Sequence, residues 1–144
     1  MSREERAAEL FVGGFACSQA VLAAFCENYG LDESMAFRLA SGFAGGMKSA
    51  EVCGAVSGAV MVIGLKYGHV NGDIRESRQA SGAKVQEFMC AFKSRQHFLT
   101  CRDLLGCDIA TQEGRQIALD TKLFTTRCVD LVREAARILE AKGY

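Results

Sequence analysis

Proline and tryptophan are absent from this 144-residue chain, and none of its cysteines are spaced as C-x-x-C. Without proline, the punctuation of helices and turns falls to glycine, which occurs 15 times. Without C-x-x-C, the local signatures of thioredoxin-type pairs, zinc ribbons and ferredoxins are missing, and so is the C-x-x-C-H signal for covalent haem. Net charge is also lacking: 17 basic residues balance 17 acidic ones. With no dense basic stripe, the chain is expected to bind neither nucleic acid nor an anionic membrane surface. The longest apolar run, from Val52 to Leu65, is too short to span a bilayer and suits a buried core helix, so no membrane insertion is expected. Met1-Ser2-Arg3-Glu4-Glu5-Arg6 leads into a polar helix start rather than the apolar core of a secretory leader. The expected location is therefore cytoplasmic, where thiols stay reduced.

The chain is expected to form a single all-α domain over residues 1–144, a bundle of about five helices around a central apolar helix at about 50–66. Ser2 and Glu5 have the spacing of a capping box. A first helix is predicted from there to about Asn28, with Leu10, Gly14, Cys17, Val21 and Phe25 on one face and Gly30 as its stop. Asp32 caps a short helix to about Ala40. Ser41 to Lys48 form a glycine-rich loop, and Ser49 is the predicted cap of the central helix, which Gly68 ends. Asn71-Gly72-Asp73 is a turn before an amphipathic helix from about Ile74 to Ser94, with Ser81, Val85, Phe88 and Phe92 facing inward. Thr100 caps a short helix that Gly106 closes. The stretch 109–120 has no clear assignment. A last helix is predicted from about Leu123 to Lys142, with Phe124, Cys128, Leu131, Val132, Ala135 and Leu139 inside. Nothing reads as a strand.

The seven cysteines, at 17, 26, 53, 90, 101, 107 and 128, are odd in number and do not read as a disulfide framework. A reactive cysteine needs a stabilised thiolate, which helix N-termini and nearby cations provide. Cys53, at the start of the central helix and after Lys48, fits that need. So does Cys101, which follows the Thr100 cap and precedes Arg102. These two are the expected nucleophiles. Cys17 and Cys128 are predicted to lie mid-helix on inward-facing stripes, as resolving thiols, metal ligands or packed apolar groups. Cys26, Cys90 and Cys107 are read as structural, since free cysteine packs like a small hydrophobe. His69 and His97 are expected at the surface. Gly42 to Gly46 lack the ending and the preceding strand of a phosphate-binding loop.

Cys53-Gly54-Ala55-Val56-Ser57-Gly58 reads C-G-A-x-x-G. With it, the chain resembles the redox-active protein family named for its cysteine pattern, C_GCAxxG_C_C, although that label writes Gly-Cys-Ala where this chain has Cys-Gly-Ala. The resemblance covers most of the chain. Cys17-Ser18-Gln19-Ala20-Val21-Leu22 is similar to the family's first cysteine segment, and Ser41 to Met47 to its glycine-rich loop. Cys101-Arg102-Asp103-Leu104-Leu105-Gly106 is similar to the third cysteine segment, and Cys128 stands where the fourth is expected. The resemblance implies that Cys17, Cys53, Cys101 and Cys128 form the site, with Gly54 and Gly58 permitting close helix contact and Lys48 and Arg102 in support.

Three functions remain open on the sequence. The first is thiol–disulfide electron transfer by the four cysteines, as a thiol-disulfide oxidoreductase acting with a redox partner the sequence does not identify. The second is binding of an iron–sulfur cluster or zinc by the same four cysteines. The third is a structural or interaction domain in which the cysteines only pack. The oligomeric state is not legible in the sequence.

Overall fold

The computed structural model describes residues 1–144. Helix α1 spans Arg3–Val12 and opens with the expected capping box: the Ser2 hydroxyl accepts from the Glu5 N–H, and the Glu5 carboxylate accepts from the Ser2 N–H. The predicted long first helix is in fact two. Gly13 and Gly14 end α1, and Gly14 takes φ +111°, a conformation a side chain would strongly disfavour. A second helix, α2, begins afresh at Cys17 and runs Cys17–Phe25. A 3₁₀ turn, Cys26–Tyr29, then stops at Gly30 in the left-handed conformation. Helix α3, Glu33–Ala40, is capped by Asp32 as its sequence predicts.

The central helix also starts later than expected. Residues Gly46–Ala50 form a left-handed turn in which Gly45, Gly46, Met47, Lys48 and Ala50 all have positive φ. Ser49 donates to the Met47 carbonyl instead of capping a helix. Helix α4 runs Gly54–Tyr67 with Cys53 at its N-cap position. Just before it, Val52 pairs with Thr100 in an isolated antiparallel bridge. The Cys53 N–H donates to the Leu99 carbonyl at 2.9 Å and the Cys101 N–H to the Glu51 carbonyl at 2.6 Å.

Helix α5 spans Arg75–Gln96, with Phe88 and Phe92 buried and Ser81 and Val85 half-buried. Helix α6, Cys101–Leu105, is capped by Thr100 and closed by left-handed Gly106. The unassigned stretch contains helix α7, Gln112–Asp120, capped by the Thr111 hydroxyl on the Gly114 N–H. The predicted last helix is interrupted. A 3₁₀ turn at Leu123–Thr125 ends at Thr126, whose φ −123° and ψ −78° are not helical, and helix α8 follows as Arg127–Ala141. The all-α, single-domain expectation therefore holds, with eight α-helices rather than about five. No helix is long and apolar enough to cross a membrane.

The core is centred on the crossing of α2 with α4, the most extensive helix pair in the fold. A Cβ on Gly58 would lie 2.7 Å from the Ser18 carbonyl oxygen and 3.1 Å from its Cα, so only glycine allows this approach. Ser18 is fully buried there, and its hydroxyl donates to the Ala40 carbonyl at 2.7 Å. Helix α8 closes the other side with Leu131, Val132, Ala135 and Leu139. It is tied to α1 by a forked ion pair from Arg137 to Glu4.

Gly58→Ala should lower stability by about 1–3 kcal/mol, the usual cost of forcing atoms into a packed interface. Urea unfolding of the reduced protein would read this directly; an unchanged midpoint would mean that the α2–α4 crossing is not tightly constrained.

Candidate functional site

Splitting the first helix and shortening the central and last ones has one shared consequence. Each of the four motif cysteines stands at the beginning of a helix. Cys17 is the first residue of α2, Cys53 is the N-cap of α4, Cys101 is the first residue of α6, and Cys128 is the second residue of α8. The mid-helix placement expected for Cys17 and Cys128 is thus corrected. Gly13–Gly14 and Thr126 break the helices just ahead of them.

Local sequence explains how each sulfur is aimed. In Cys17-Ser18-Gln19, the Ser18 hydroxyl reaches Ala40, while the Gln19 amide donates to the Phe37 carbonyl and accepts from the Ala16 N–H, each at 2.9 Å. These bonds anchor the start of α2 on α3. The Cys17 sulfur then lies directly against Gly54, where any Cβ would collide with it. Cys53 and Cys101 are brought side by side by the Val52–Thr100 bridge.

All four cysteines line one cavity of about 170 Å³. Its walls are otherwise mostly apolar, with Phe11, Leu105, Ile109, Phe124 and Leu131 contributing. Cys53 and Cys101 are buried, at 6% and 7% exposure, while Cys17 and Cys128 are half-buried. Two cations complete the lining, Lys48 from the left-handed turn and Arg115 from α7, and no carboxylate is part of it, although Asp108 lies close enough to Cys101 to help raise its pKa. The Arg115 guanidinium lies 5.6 Å from the centre of the Phe124 ring. The sequence did not single out Arg115. The only local sign was Thr111 three residues ahead of Gly114, in a stretch without strong apolar periodicity.

The supporting residues separate. Lys48 reaches the cavity and Gly54 touches Cys17. Gly58 serves the helix crossing one turn away. Arg102 does not line the cavity; it forms a two-pronged ion pair with Glu51, at 2.9 and 3.1 Å, bracing the bridge from outside. Cys26 is buried away from the cavity and Cys90 is exposed on α5. His69 and His97 are exposed, as expected. Cys107, set aside as structural, is half-buried and close enough to Cys101 and Cys128 to influence their ionisation.

Position at a helix start predicted lowered thiol pKa values at Cys53 and Cys101. Burial prevails instead. Loss of water pushes the Cys53 thiol far up, and a charge on neighbouring Cys17 adds to the rise. The Ala55 and Val56 N–H groups pull the other way without offsetting it. Burial likewise raises Cys101 to about 11 and Cys128 to about 12, with Cys17 again the first charged neighbour in each case. Cys17 is therefore the sulfur all three others share. The fixed helix ends favour negative charge, but three of the four sulfurs are too dry to carry it before they react.

The four sulfurs and the nearby His, Asp and Glu side chains form no group of three or more placed to hold a metal ion. The iron–sulfur and zinc reading finds no ligand set in this arrangement.

The raised pKa values set a pH dependence. Below the ordinary cysteine pKa of about 8.5, the folded and unfolded chains both keep these thiols protonated, and stability is complete. Above it the unfolded chain releases protons that folded Cys53, Cys101 and Cys128 retain, so stability falls as pH rises towards about 11–12. The urea midpoint of the reduced protein should drop between pH 7.5 and pH 10, and Cys53→Ala should flatten that slope. A slope that is equally steep in the variant would contradict the assignment.

A family model described as "Putative redox-active protein (C_GCAxxG_C_C)" matches residues 15–142, a span that contains all four cavity cysteines. No curated protein and no solved structure matches the chain.

Proposed function

The chain belongs to the C_GCAxxG_C_C family of redox-active proteins, and from that membership we propose that it works by thiol–disulfide exchange within the cavity, with Cys17 as the attacking sulfur and Cys53 as its first partner. The observation that carries this reading is the gathering of four helix-start cysteines around one cavity, with Cys17 neighbouring the other three. Cys17 is more exposed than Cys53, and it stands at the start of nine-residue α2. Cys53 is held as a thiol by burial until a disulfide on Cys17 is presented to it.

The exchange balances with a disulfide as oxidant. The Cys17 thiolate attacks the oxidant's sulfur, forming a mixed disulfide and releasing one thiolate. Cys53 then gives up its proton to that thiolate and attacks the Cys17 sulfur, releasing the second half as a thiolate, which takes up the proton that Cys17 lost to solvent on ionising. Two cysteine thiols become one disulfide, and the oxidant becomes two thiols. Cys101 and Cys128 line the same cavity and are the next thiols in reach.

Poising the reduced protein in thiol–disulfide buffers of graded potential, alkylating it and mapping its peptides tests this. One internal Cys17–Cys53 disulfide should form in a single two-electron step, and Cys17→Ser should abolish it. Oxidation confined to Cys90, or no internal disulfide at any potential, would refute the mechanism. A coloured or metal-loaded protein from anaerobic purification would transfer the same cysteines to ligand duty instead.

A further inference from the structure

The cavity's charge and shape narrow the kind of molecule that reaches its sulfurs. We infer that the site accepts a small anionic organic disulfide, whose apolar body enters the cavity and whose carboxylate rests between Lys48 and Arg115. This inference rests on the thiol-exchange reading and adds the substrate class to it.

Size comes first. Cys53 and Cys101 lie on buried walls, and the cavity holds about 170 Å³. An apolar cavity of about 150 Å³ lined by Leu, Ile and Phe is large enough for benzene. The space here therefore suits one ring or a short alkyl group beside the sulfurs, and is too narrow for a folded partner's loop. The walls formed by Phe11, Leu105, Ile109 and Phe124 favour an apolar body.

Charge comes second. The only charged residues on the lining are both cations, and neither forms an ion pair or hydrogen bond with a protein group. Arg102, Arg137 and Arg6, by contrast, are each engaged by a carboxylate. Arg115 is steadied against Phe124, and its donors remain available. Lys48 is presented by a turn whose non-glycine residues Met47, Lys48 and Ala50 have φ of 55–58°. Each such residue occupies a backbone region that its side chain disfavours. The turn is held despite that cost, by the Glu51 N–H on the Gly46 carbonyl and by the Glu51–Arg102 pair. The strained turn thus brings a cation to the lining of the cavity that holds the four thiols. A neutral or cationic disulfide gains nothing from this pair, whereas a carboxylate gains two partners.

The test uses the full chain carrying Cys90→Ser, which removes the exposed thiol outside the site. Three probes are compared: 5,5′-dithiobis(2-nitrobenzoate), an anionic aryl disulfide; neutral 4,4′-dithiodipyridine; and cationic cystamine. Each rate is divided by that of a free thiol with the same probe. The anionic probe should lead, and the anionic-to-neutral ratio should fall about ten-fold in Lys48→Gln/Arg115→Gln at low salt. A ratio that the double variant leaves unchanged, or cystamine as the fastest probe, overturns the substrate class even where the internal disulfide forms. Absence of that disulfide with every probe overturns the exchange reading itself. Far-ultraviolet circular dichroism of the double variant confirms that a lost preference is not lost folding, and Lys48→Arg, which keeps the charge, should retain most of the preference.

Discussion

The close crossing of α2 and α4 is the constraint on which the rest of the molecule depends. Two glycines one helical turn apart make it possible. Gly58 lets the Ser18 backbone approach, and Gly54 leaves room for the Cys17 sulfur. A larger residue at either position would push the helices apart and move Cys17 away from Cys53. The same contact thus sets both core packing and sulfur spacing. This explains why a C-G-A-x-x-G segment carries structural and chemical information together: the cysteine stands at the N-cap position of the helix, the first glycine admits a second sulfur, and the second glycine admits a second backbone.

Around that contact, two electrostatic effects oppose one another. Helix starts and nearby cations stabilise negative charge, while removal of water destabilises it. At Cys53, Cys101 and Cys128 the loss of water dominates. A helix start is therefore insufficient to make a cysteine nucleophilic; access to water also matters. Burial separates the environments, with Cys53 and Cys101 buried and Cys17 and Cys128 half-buried. It also keeps Cys53, Cys101 and Cys128 uncharged at ordinary pH, which spares the core the repulsion of adjacent charges.

Much of the fold was legible because its helix signals are local. Ser2, Asp32 and Thr100 cap where the sequence places them, and Gly30 and Gly106 adopt the left-handed stops expected of them. Sequence and structure differ where one residue fits two conformations. Gly14 fits a continuous helical stripe, and only its φ of +111° reveals a break. Thr126 interrupts a helix without proline or glycine to announce it. Lys48 and Ala50 adopt left-handed angles that their side chains disfavour, so no propensity argument places them outside the helix. The four cysteines could be chosen from sequence, since motif and spacing distinguish them. Their common location at helix starts could not, because it depended on those very breaks. Arg115 was invisible for another reason: it joins the site through tertiary packing against Phe124 alone.

The left-handed turn links the helix breaks to the placement of the cysteines. Residues 45–50 tolerate an unfavourable backbone between two features that fix their ends, the start of the bridge at Glu51 and the end of α3 with its short extension. A relaxed helical extension of α4 back to Ala50, as its sequence suggests, would remove Cys53 from the cap position. It would also dissolve the bridge that aligns Cys53 with Cys101. The strained turn is therefore what keeps α4 short, and keeping α4 short places a sulfur, rather than a backbone amide, at the head of the central helix. Strain in one loop and glycine in one crossing combine to bring four cysteines to the walls of a single cavity.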